Sequence, residues 1–220
     1  MSERQISRWM GPLGLGVVAL LVVGFAVLGG SQPSQNASGP AVVAYNNAHV
    51  AQHWAQVYVI GLGLTGLVVF LSHLRVLLQD RGGSGTLANA SFAAGILLVG
   101  ALLVSGIFSV ALILAAHNHE PGIARTLNFI SQNDELGFLF GMALLALATG
   151  AAILRQGWLP KWLGWVGIVA GVVCVAGPIS FVGFVASGIW IAILGFVIGA
   201  RSKVVTGEVS TPLAGVAVGS

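Results

Sequence analysis

From Leu87 to Ala116 the chain reads LANASFAAGILLVGALLVSGIFSVALILAA, a run without one charged side chain. A helix rises about 1.5 Å per residue, and about 20 apolar residues cross the hydrocarbon core of a bilayer. The run exceeds that length, so it reads as a span with tilt or an extension beyond the membrane, centred on about 90–116. Working outward, five further apolar runs fall at about 11–30, 55–74, 136–154, 162–179 and 181–200. The whole chain of 220 residues is 56% hydrophobic and 7% charged. Soluble domains carry about 25% charged residues, so this chain could not cover its own surface in water. The expectation is all-α: one polytopic domain over residues 1–203 with six transmembrane helices. Residues 204–220 lack periodicity and are expected to form a disordered cytoplasmic tail.

The charges give an orientation. Eight of nine Lys and Arg residues fall in alternate segments between runs: Arg4 and Arg8, Arg75 and Arg81, Arg155 and Lys161, Arg201 and Lys203. Only Arg125 lies in one of the others. Basic residues concentrate in short loops on the cytoplasmic side, which places both termini inside a bacterial cytoplasmic membrane. Trp9, Trp158, Trp162 and Trp165 fall at the expected inner interface as anchors, and Tyr45, Trp54 and Tyr58 near the outer one. Trp190, mid-span, is expected to pack against a neighbouring helix. The net charge of +3 reads as orientation and contact with anionic headgroups, not nucleic-acid binding. The first run is too long for a signal-peptide core, which favours an uncleaved anchor.

Thirty-two glycines suggest close helix packing. Gly137 and Gly141, Gly167 and Gly171, and Gly195 and Gly199 are each four apart, a spacing that lets backbones approach. Packing within the bundle is the expected use; contact with a second copy or another membrane protein is the alternative. Gly61-Leu62-Gly63-Leu64-Thr65-Gly66 matches a dinucleotide fingerprint in letters only. It lies inside an apolar run of spanning length, Asp80 follows too soon, and no further βα units come after it. Cys174 is the only cysteine, so thiol exchange through paired cysteines has no residues to use.

No Asp, Glu, Lys or Arg falls mid-span, which argues against ion-coupled pumping. Thr65, Ser105 and Ser109 are the hydroxyls a neutral carrier could use. Four of the five histidines lie outside, and His73 lies at an inner helix end. His49 and His53 are one helical turn apart, and His117 and His119 stand beside Glu120. Imidazoles and a carboxylate at such spacings can hold a divalent metal, so these five residues are the metal candidates. The bland expectation is interfacial histidines with ordinary hydrogen bonds. No catalytic residue and no resident cofactor are expected. A haem held by paired histidines within the spans finds no such pair.

The stretch from Asn128 to Gly171 carries a resemblance. It runs through Gly137-Phe138 and Ala146-Leu147-Ala148-Thr149-Gly150 to Leu154-Arg155-Gln156-Gly157-Trp158-Leu159-Pro160-Lys161-Trp162-Leu163-Gly164-Trp165. This resembles a class of bacterial multi-pass membrane proteins, common in actinobacteria, with a domain of unknown function. In that class a helix ends in a basic residue and a glycine, and a Leu-Pro-basic-Trp-Leu-Gly-Trp turn opens the next. The resemblance implies location and architecture, not chemistry. Three functions stay open: a non-enzymatic protein binding a partner or lipid, a carrier for a neutral or lipophilic molecule, and an outer-face metal or haem protein.

Overall fold

The computed structural model describes residues 3–30, 32–80 and 85–208. Arg81 and residues 209–220 of the tail, which entered the topology above, lie outside the described residues. The described residues form eight α-helices: α1 (Glu3–Val22), α2 (Gly39–Ala48), α3 (Val50–Asp80), α4 (Gly85–His117), α5 (Pro121–Ser131), α6 (Glu135–Gln156), α7 (Lys161–Val173) and α8 (Ser180–Glu208). A π-helical turn, Val23–Val27, continues α1, and a 3-10 turn, Gly177–Ile179, precedes α8. No strand occurs among the described residues.

Among the described residues, five segments are long and apolar enough to cross a membrane: Trp9–Val27, Val50–Asp80, Gly85–His117, Pro121–Gln156 (α5 joined to α6) and Gly177–Arg201. The remaining expected run, 162–179, differs. Its helix, α7, stops at Val173, well before the expected end at Ile179. Gly177, with φ +67°, then turns the chain into α8. The two segments between these runs on the expected outer side also carry helix, the first in keeping with its helical pattern from Val42. The stretch before Gln52 contains α2 and the start of α3, and the stretch from His117 to Glu135 contains α5. Both short helices start with proline at the first turn, where its missing N–H costs nothing.

Helix neighbours follow the order α1, α3, α4, α6, α7, α8 and back to α1, which closes a ring, with α6 also touching α8. Lipid tails are as apolar as leucine, so close van der Waals packing holds such a ring. The paired glycines supply it inside the chain. A Cβ on Gly141 would sit 2.7 Å from Leu98 Cα, and one on Gly150 would sit 2.7 Å from the Gly164 carbonyl oxygen. Gly171 meets the Ala143 carbonyl, while Gly195 and Gly199 meet Met10 and Gly11 of α1. The dinucleotide-like glycines are helical too, with Gly63 against Leu21 and Gly66 against Val17.

The main core includes Leu67, Phe70, Leu71, Leu74 and Leu78 of α3, Ile153, Leu163, Trp190 and Leu194. Trp190 lies against Gly167 and donates its indole N–H to the Leu163 carbonyl at 2.8 Å. A second, smaller cluster, with Val42, Val43, Leu112, Ala116 and Ala124, packs α2 and α5 onto the end of α4. The bundle therefore has two unlike ends: one bearing α2 and α5, the other bearing the turn from Gly157 to Pro160.

Candidate functional site

The end bearing α2 and α5 is laced together by amide side chains. Asn128 Nδ2 donates to the Ser34 carbonyl at 3.2 Å, and Gln132 Nε2 to the Pro33 carbonyl at 2.6 Å. Asn47 Nδ2 reaches the Ala116 carbonyl at 3.1 Å, and Gln52 Nε2 the Leu28 carbonyl at 2.9 Å. These bonds fasten the connection after α1, with α2 and α5, across the ends of α3 and α4. At the N-termini of the two short helices the contact is close: a Cβ on Gly39 would lie 2.3 Å from the Pro121 carbonyl oxygen.

Beneath this cap lies a cavity of about 670 Å³. Small-molecule sites run about 300–1,000 Å³. Its walls come from α3 between His53 and Leu64, α4 between Leu102 and Leu114, the start of α6, and Phe25 of the π-helical turn. Such turns recur at functional sites because they re-aim a side chain. The apolar wall includes Val57, Ile60, Leu64, Leu102 and Phe138. The polar part includes Asn46, His53, Gln56, Ser105, Ser109 and Asp134. A smaller hollow of about 410 Å³ lies between the start of α6 and the turn before α8, beside Cys174 and Ser180.

Two atoms set the larger cavity apart. Nε2 of His53 and Oδ2 of Asp134 are buried and have no hydrogen-bond partner among the described residues, and both residues line this cavity. Leaving a buried polar group unpaired costs about 1–3 kcal/mol, more for a charged one. Their neighbours explain how His53 is held. Tyr45, His49 and His53 follow one another at helical spacing across the junction of α2 and α3. Tyr45 and His49 stack with centroids 4.3 Å apart, and the two imidazoles meet edge-on at 6.4 Å. His49 donates Nδ1–H to the Tyr45 carbonyl at 2.9 Å.

The other metal candidates stand elsewhere at the same end. His117 ends α4, His119 has φ +57°, and both are exposed together with Glu120. Among the described residues, no group of three or more His, Cys, Asp and Glu side chains is placed to hold a metal ion. Of the three hydroxyls, Ser105 and Ser109 line the cavity, with Ser109 donating to the Ser105 carbonyl at 3.2 Å. Thr65 is exposed on the bundle surface and donates back to the Gly61 carbonyl at 2.9 Å.

Trp9, Trp162 and Trp165 are exposed on the bundle surface. Trp158 donates Nε1–H to Gln156 at 2.6 Å, and Arg201 donates to the Trp158 carbonyl. Asp134, Gln56, Asn46 and Asn128 escaped the sequence reading of the site. Their signal was available: amides and an acid bordering apolar runs, where water cannot satisfy them. Comparison with known protein families, curated proteins and solved structures finds no match to this chain.

Proposed function

We propose that this chain is a six-span protein of a bacterial cytoplasmic membrane, both termini inside, that holds a small amphiphilic molecule beneath the α2/α5 cap without transforming it. The observation that carries this reading is the cavity itself: apolar walls on three helices, with two unpartnered buried polar atoms among them. An apolar hollow with a few convergent polar groups is the usual form of a small-molecule site. A ligand with a polar head and a hydrocarbon tail supplies what both parts lack.

α7 counts as the fifth of the six spans in this reading. Its 13 residues rise only about 20 Å as helix, against a core of about 30 Å. The turn up to Ile179 and local bilayer thinning make up the rest. The alternating Lys and Arg residues set the cap on the outer side. Reporter fusions at Gly83 and Gly122 are expected to report opposite sides of the membrane; the same side for both would overturn the topology.

Binding is favoured over carriage. Ser105 and Ser109 face the cavity as a carrier would need, but Thr65 does not. Towards the other end, Leu67, Phe70, Leu71, Leu74 and Leu78 are at most 2% exposed and fill the bundle. The test is direct. Gly106 lines the cavity, and a Cβ there meets no atom within 4 Å. Gly106→Phe should therefore fold and fill the site. Mass spectrometry of protein purified in non-ionic detergent is expected to find a bound amphiphile on the wild type and less on Gly106→Phe. Identical extracts from the two would refute the reading.

A further inference from the structure

The charge on the cavity wall narrows the class of occupant. Its titratable lining residues are His53, Asp134 and Glu135, and no Lys or Arg lines it among the described residues. His53 is 7% exposed, and its free Nε2 is buried, as is the free Oδ2 of Asp134. A carboxylate oxygen only accepts hydrogen bonds, and a neutral imidazole offers one accepting nitrogen. Three aromatic rings, Phe25, Tyr45 and Phe138, also line the space, and ring faces attract cations. An anionic head would enter beside two carboxylates with no cation to meet it. A neutral hydroxyl has one proton to donate and leaves the carboxylate charge uncompensated. A protonated amine has several N–H donors and the opposite charge, and charge-assisted bonds are the stronger kind.

Resting on the reading of the cavity as a binding site, we infer that its ligand class is the lipophilic amine. The ammonium head sits at the polar part of the wall, at His53 and Asp134. The hydrocarbon tail lies along Ile60, Leu64 and Leu102. The binding is non-covalent and requires no resident metal.

The experiment compares three probes of equal tail length: decylamine, decanol and decanoate. Each is measured by equilibrium dialysis against the full chain in nanodiscs of zwitterionic lipid, with empty discs and Gly106→Phe discs subtracted. Decylamine is expected to bind saturably and at least about tenfold more tightly than either other probe, and Asp134→Asn to weaken it by about tenfold or more. Equal affinity for decanol or decanoate overturns the amine assignment while leaving the cavity reading intact. Decylamine binding unchanged in Asp134→Asn overturns the placement of the head. No saturable binding of any probe to the wild type overturns both readings together. If Asp134→Asn does not fold, the comparison of probes on the wild type still decides.

Discussion

At the end of the bundle where α7 begins, the polar groups are spent on holding helices together. Arg75 donates to Asn89 Oδ1 at 2.9 Å, Gln156 to the Leu78 carbonyl at 2.7 Å, and Arg201 to the Trp158 carbonyl. Large side chains fill the space between the helices there, Phe70, Leu78, Leu159 and Leu163 among them. At the opposite end, amides fasten a cap made of two short helices, but the space beneath it stays open and two buried polar atoms stay unpaired. The same apolar composition thus produces a filled half and a hollow half. In a membrane, where stability comes chiefly from packing, the filled half carries the fold. The hollow half departs from good packing, as functional sites commonly do.

The largest effect expected from this division is at Trp190. It is 1% exposed, lies on Gly167 and bonds the Leu163 carbonyl. Trp190→Ala opens a void against α7 and leaves that carbonyl with one partner fewer. A loss of about 3 kcal/mol is expected, the low end for buried tryptophan, because lipid supplies no transfer gain. Unfolding in mixed micelles with increasing sodium dodecyl sulfate measures it. A loss below about 1 kcal/mol would mean that the filled half is not what holds the ring.

The hollow half should answer with the opposite sign. His53→Leu removes an unpaired buried nitrogen and adds apolar surface to the cavity wall one turn from Val57 on α3. Stability should rise by about 1 kcal/mol by the same measurement. Retention of the amphiphile, read by mass spectrometry, should fall. A destabilisation as large as that of Trp190→Ala would erase the distinction between the halves, since His53 would then be a structural residue.

Much of this architecture was legible in the residues. Charge scarcity and apolar run length announce helices of spanning length, because a continuous apolar run of about 20 residues crosses lipid as a helix that satisfies its own backbone. The glycine pairs announce close packing, and their use inside the chain follows from the backbone contacts at Gly141, Gly171 and Gly195. Of the short helices, α2 was partly legible, since the sequence turns helical in pattern from Val42, whereas α5 was hidden because Pro, Gly, Arg, Thr, Asn and Ser break its short run and read as loop. The early end of α7 was hidden because Val175, Ala176 and Ile179 keep the run apolar after the helix has stopped. The site was half legible. His53 was marked by type and spacing, but as a metal ligand beside His49. That it shares a cavity with Asp134 depends on how α3 and α6 are placed around α4, and residue spacing does not contain that placement.

The smallest effect tests whether polar contacts in the filled half matter beyond filling space. Ser91 of α4 and Thr149 of α6 are both buried, and their hydroxyl oxygens are 2.5 Å apart. Hydroxyl bonds between membrane helices average only about 0.6 kcal/mol, because the separated partners find other acceptors. Here Thr149 has one at hand, since a helical threonine can bond back to the carbonyl one turn earlier. Ser91→Ala is therefore expected to cost about 0.6 kcal/mol, and a cycle with Thr149→Val to give a coupling of the same size. A coupling above about 2 kcal/mol would show that water-free hydrogen bonding, and not shape alone, stabilises the filled half. The contrast with the hollow half would then lie in paired against unpaired polar atoms more than in filled against empty space.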